Sequence, residues 1–86
     1  MNAVFSGNAE KELDEMEKSL RSIFIKHAEK IAEMPPRRHM RFGLPFNVEE
    51  VTKQARIIYN FEDDICYILH CFKSHKEYER WYKSFK

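Results

Sequence analysis

Eighty-six residues, 43% of them hydrophobic and 14% aromatic, can bury one modest core and leave no room for a second, so the chain reads as a single domain over 1–86. Two glycines, three prolines and no Ser-rich or Gln-rich tract exclude a largely unfolded chain, and a formal net charge of +1 excludes an indiscriminately basic nucleic-acid binder. Met1 to Phe5 lack a basic segment before an apolar run, and no stretch approaches the roughly eighteen apolar residues of a membrane span, so a reduced, cytoplasmic protein with no membrane partner is expected.

In chain order, Ala3, Val4 and Phe5 predict a short first strand, after which Ser6 or Asn8 can cap a helix. Ala9, Leu13, Met16 and Leu20 recur at spacings of four, three and four, which places them on one helix face. The other faces carry acids: Glu10, Glu12, Asp14, Glu15 and Glu17 against Lys11, a net −4. Leu20, Ile23, Phe24, Ala28 and Ile31 continue helical spacing until Pro35 and Pro36 end it near Met34. Ser19 is a plausible second cap, so two helices with a break near Lys18 and Ser19 are expected to cover the small core as a hairpin.

Beyond the prolines, Arg37 to Pro45 reads as a loop or irregular strand. Three strands follow, Phe46 to Val51, Arg56 to Phe61 and Ile65 to Phe72, the last two joined by the turn Glu62-Asp63-Asp64. Alternation puts Arg56, Ile58 and Asn60 on one face and Ile57, Tyr59 and Phe61 on the other. Cys66 and Cys71, five apart in one strand, are then expected on opposite faces, which argues against a disulfide and for reduced thiols. Ser74 caps a final helix from His75 onward that carries Tyr78, Trp81, Tyr82 and Phe85. The fold class is α+β: two N-terminal helices on a small, mainly antiparallel sheet in the order β-α-α-β-β-β, with a short C-terminal helix. The helices are expected on one sheet face and the opposite face free for function.

Positive charge gathers in the second half. Arg37, Arg38, Arg41, Lys53 and Arg56 stand against Glu49 and Glu50, with His39 alongside, and Lys73, Lys76, Arg80, Lys83 and Lys86 against Glu77 and Glu79, a net +3 in each stretch. A polyanion would prefer that half. His70, Cys71 and His75 with Cys66 invite a metal-site reading, but no Cys-x-x-Cys or His-x-x-x-His spacing supports it, and neither a metal nor another cofactor is expected.

Gly43-Leu44-Pro45-Phe46-Asn47-Val48-Glu49-Glu50 leading to Arg56-Ile57-Ile58-Tyr59, followed by Cys71-Phe72-Lys73-Ser74-His75-Lys76-Glu77-Tyr78, resembles the RelE/ParE superfamily of toxins from toxin–antitoxin pairs. The likeness lies in an arginine opening an apolar strand that ends in tyrosine, and in a His with a nearby Tyr after the last strand; it spans nearly the whole chain. It implies a RelE-like fold, a cognate antitoxin, and a ribosome-dependent endoribonuclease that cuts mRNA in the ribosomal A site without a metal. In such cleavage the ribose 2′-hydroxyl attacks phosphorus, so one group must take a proton, another must stabilise phosphate charge, and a third must protonate the leaving oxygen. Arg56 is the candidate for the charge, since a guanidinium stays ionised and its planar fork fits phosphate oxygens. His75 is the candidate for proton transfer, Tyr78 for stacking or positioning, and Lys53 for orienting substrate. Glu49 is a possible base if its strand face agrees. Arg37, Arg38, Arg41, Lys73 and Lys76 are the expected contacts to RNA backbone. The alternative is a binding-only toxin of the same fold, like the ParE branch that poisons DNA gyrase, or a toxin that has lost its chemistry.

Overall fold

The computed structural model describes residues 2–33 and 46–84. The elements in order are β1 (Asn2–Phe5), α1 (Gly7–Asp14), α2 (Lys18–Glu33), β2 (Asn47–Glu50), β3 (Arg56–Glu62), β4 (Ile65–Phe72) and α3 (His75–Lys83). One four-stranded sheet runs β1-β4-β3-β2, with β2, β3 and β4 an antiparallel meander and β1 parallel to β4. Among the described residues no helix is long and apolar enough to cross a membrane.

Ser6 ends β1 and starts α1. Its Oγ accepts from the Ala9 N–H at 3.1 Å, capping the helix, and donates to the Leu69 carbonyl at 2.8 Å, while its own N–H donates to the Ile68 carbonyl at 2.9 Å. The first helix therefore leaves the sheet at a fixed angle beside β4. α1 stops at Asp14, and the Arg21 guanidinium reaches back from α2 to the Leu13 and Met16 carbonyls at 3.0 and 3.1 Å, adding a second donor to Leu13, which already accepts from Met16 N–H, and supplying one to Met16. The break thus lies at 15–17, just before the expected position. Ser19 falls inside the first turn of α2, where the Glu17 carbonyl accepts from Arg21 N–H. The hairpin turn between β3 and β4 is Asp63-Asp64 alone, with Asp63 at φ 57°, a left-handed conformation that a short polar side chain tolerates.

Two apolar clusters sandwich the sheet. Ala9, Leu13 and Met16 of the α1 segment and Phe24, Ala28, Ile31 and Ala32 of α2 cover Ile57, Tyr59, Cys66, Ile68 and Cys71 on one face. On the other face Tyr78 of α3 buries Ile58 and Phe72, with Phe46, Val48, Leu69, Trp81 and Tyr82 around them. The expectation that all helices share one face is corrected: α3 folds back over the second face, because Ile58 and Phe72 there need cover as much as Ile57 does. Ile23, expected in the helical stripe, is 40% exposed, since the face of α2 turned to the sheet is centred on Phe24 and Ala28.

The cysteine expectation is corrected as well. Ile58 pairs with His70 but Tyr59 pairs with Ile68, so Leu69 is an extra residue, a β-bulge in β4. One inserted residue reverses the alternation beyond it, and Cys66 and Cys71 both enter the α1/α2 core as free thiols. Burial pushes the Cys66 thiol up to about 11, and burial with the nearby Glu12 carboxylate pushes Cys71 up to about 12. Neither thiol is expected to react with iodoacetamide at pH 8 in the native protein, and both are expected to react once it is unfolded; mass spectrometry of alkylated protein reads this directly. Because both folded values lie above the ordinary 9.0, the unfolded thiols ionise first. Stability is thus full below about pH 9 and drains away through pH 11–12, by about 1 kcal/mol per thiol at pH 10.

Candidate functional site

Arg56 opens β3 opposite Phe72 of β4, on the face that α3 covers. It is 8% exposed. Its Nη1 donates to three carbonyls of the β2–β3 connection, Thr52 at 3.0 Å, Lys53 at 3.1 Å and Ala55 at 2.9 Å, so the side chain closes that loop as well as presenting charge. Thr52 Oγ1 accepts from the Gln54 and Ala55 N–H groups, which bends the chain so that its carbonyls converge on the guanidinium. Nε and Nη2 carry the donors that remain. Lys53 lies in this loop, exposed, and touches Arg56 through its backbone carbonyl.

His75 is the first residue of α3, three positions after Phe72, and therefore at the same end of the same face as Arg56. Ser74 caps the helix, accepting from Glu77 N–H at 3.2 Å while its hydroxyl donates to the Glu77 carboxylate at 3.0 Å, a reciprocal arrangement that fixes where His75 begins. The His75 ring meets Tyr78 edge-on at 5.8 Å. Tyr78 is 2% exposed beneath α3, so its ring stacks on protein neighbours and not on a base, contrary to one of the roles expected for it. Lys73 and Lys76 flank the cap, both exposed. Arg37, Arg38, His39 and Arg41 lie outside the described residues.

Glu49 pairs with Ile57 and so belongs to the α1/α2 face, across the sheet from Arg56. There, after burial, it helps push the Tyr59 hydroxyl up to about 12, with Cys66 a smaller influence. The condition attached to Glu49 as a base, a shared face, is not met. Among the described residues no group of three His, Cys, Asp or Glu side chains could hold a metal ion.

One constellation escaped the sequence reading. The Glu12 carboxylate of α1 accepts the Cys71 N–H at 2.9 Å through Oε1 and meets His70 Nδ1 at 3.0 Å through Oε2. β1 ends at Phe5 opposite Ile68, so beyond that point β4 has an open edge, and Glu12 occupies it. The imidazole lies flat on Phe72, centroids 5.0 Å apart and planes 11° from parallel, with Trp81 tilted against it at 5.3 Å. The signal was present: Ala9, Glu12, Leu13 and Met16 form an i, i+3, i+4, i+7 set, which turns Glu12 toward the core and away from the other acids.

The chain superposes on a chain from the crystal structure of the intact E. coli RelBE toxin–antitoxin complex with a TM-score of 0.70, at 17% identity, over 84% of this chain and 94% of that one. At that identity the likeness establishes a common fold, and the three helices on a four-stranded mixed sheet are RelE-like. No protein-family model and no curated protein matches the sequence.

Proposed function

We propose that this chain is the toxin of a cytoplasmic toxin–antitoxin pair and that it cleaves messenger RNA on the ribosome. The reading is carried by one observation: within a RelE-like fold, Arg56 and His75 stand at the same end of one sheet face, with Lys53, Lys73 and Lys76 exposed on the adjoining loop and helix start. A phosphodiester there meets cationic side chains and the positive end of the α3 dipole, which suits an anion. Arg56 uses Nε and Nη2 toward the charge that builds on the non-bridging phosphate oxygens, since Nη1 is committed to the loop. His75 protonates the departing 5′-oxygen, with Tyr78 holding its ring. Lys53, Lys73 and Lys76 bind the backbone, joined by Arg37, Arg38 and Arg41, and a cognate antitoxin keeps the protein silent.

The test is growth and message integrity together. Expression of the wild type is expected to arrest growth, and mapping 5′ ends of a reporter message translated in a cell-free system is expected to show new cuts at stalled ribosomes. His75→Ala should slow cutting by about a hundredfold or more and relieve the arrest. A variant as toxic as the wild type would remove His75 from the chemistry. One observation favours a second reading, a toxin of this fold that binds without cutting, in the manner of gyrase poisons: most of the Arg56 guanidinium is screened and one nitrogen is fully used by backbone. Arrested growth with an intact message would select it.

A further inference from the structure

Metal-free cleavage of RNA needs a proton removed from the 2′-hydroxyl as well as one delivered to the leaving oxygen. With Glu49 on the far face, the first role stands unfilled by the residues already considered. We propose that His70 is the general base of this site and that Glu12 is its positioning residue, an inference that rests on the ribonuclease reading above.

His70 is on the correct face. It pairs with Ile58 while Arg56 pairs with Phe72, which makes the two residues diagonal neighbours on adjacent strands, about 7–8 Å apart at the backbone. The bulge at Leu69 is what puts it there; regular alternation from Cys66 would turn His70 into the α1/α2 core. Glu12 does for this ring what a carboxylate does behind an imidazole in hydrolases. Its Oε2, 3.0 Å from Nδ1, selects the tautomer with the proton on Nδ1 and leaves Nε2 with a bare lone pair. Glu12 is itself held, because Oε1 takes the Cys71 N–H, and the ring is held flat by Phe72 and Trp81. The His70 side chain nevertheless remains 19% exposed. Lys73, an expected phosphate contact, lines the same small cleft as Glu12, together with Glu15, Cys71 and Glu77, so these are the charged and titratable groups that share the Glu12 side of the pair.

The reaction closes with these groups. Nε2 of His70 takes the 2′-hydroxyl proton as the 2′-oxygen forms its bond to phosphorus; the bond from phosphorus to the 5′-oxygen breaks, and the protonated His75 supplies that oxygen with a proton. The products are a 2′,3′-cyclic phosphate and a 5′-hydroxyl, and no co-reactant is consumed. Two imidazoles divide the two proton transfers.

The experiment uses the full chain and three proteins, wild type, His70→Gln and Glu12→Gln, in the cell-free cleavage assay, with nitrogen-15 NMR of the histidine rings as a readout independent of activity. The NMR is expected to show His70 of the wild type protonated on Nδ1 and bare on Nε2, and that preference to be lost in Glu12→Gln, whose amide still accepts the Cys71 N–H. His70→Gln is expected to keep its melting transition and to cut at least a hundredfold more slowly at saturating ribosomes, a loss in kcat and not in KM. A cutting wild type with His70→Gln within about threefold of it overturns the assignment while leaving the ribonuclease reading intact. An Nε2-protonated His70 in the wild type overturns it equally. A wild type that leaves the message whole overturns both.

Discussion

Replacing Arg56 with alanine is expected to lower folding stability by about 2–4 kcal/mol, read as a shift in the urea midpoint at constant slope. The residue is nearly buried and its Nη1 is the donor for three carbonyls within one loop. Removing it leaves those acceptors clustered, mutually repelling and poorly solvated, and charge-assisted hydrogen bonds are the stronger kind. The β2–β3 connection, and with it Lys53, would lose its shape. Arg56→Lys should recover about half of the loss, because an ammonium can satisfy carbonyls but has no planar fork for phosphate. Cutting should therefore stay low in Arg56→Lys at a temperature where the variant is folded. That divergence separates the structural duty of Arg56 from the one proposed for it toward substrate. Full activity in a folded Arg56→Lys would reduce the residue to a loop clamp.

Phe24→Ala is expected to be the most damaging single truncation, at about 3–5 kcal/mol. Phe24 is fully buried at the middle of α2, among Ala28, Leu13 and the strand residues Ile57 and Tyr59. A domain of this length has about 5–15 kcal/mol in hand, so the variant would be partly unfolded at 37 °C and its melting point lower by roughly 15–30 °C. Ile23→Ala, one residue away but 40% exposed, should change stability by no more than about 0.5 kcal/mol. Equal losses from the two would mean that α2 is rotated about its axis relative to the packing described here.

Those contrasts also show what the sequence made legible. The helices of the first half were readable from the Ala9, Leu13 and Met16 stripe and from Ser6, because one polar and one apolar face give a clear period. Ser74 announced α3 in the same way, and the acidic turn at Asp63 announced the hairpin. The bulge was not readable. Ile65-Cys66-Tyr67-Ile68-Leu69-His70-Cys71-Phe72 is apolar on both sides because both sides are covered, so a one-residue slip leaves no mark in the pattern. Everything downstream of that slip moved with it: the cysteines came to one face and His70 to the other. Arg56 was readable as a charged residue opening a strand but not as a loop clamp, since its partners are backbone carbonyls, which no side-chain pattern encodes. Glu12 was hidden by company, one acid among five in a segment where the others are solvated.

The parallel pairing of β1 with β4 joins Asn2 to Ile65, 63 positions later. During synthesis, then, the opening strand must wait for nearly every other element to be made before it finds its neighbour, and Ser6 waits with it for the Leu69 carbonyl that anchors the first helix. A half-made chain on its ribosome has no finished sheet, so the strand positions that carry Arg56 and His70 are not yet paired. The proposed site is therefore incomplete until the hairpin of β3 and β4 and the His75 end of α3 have all emerged.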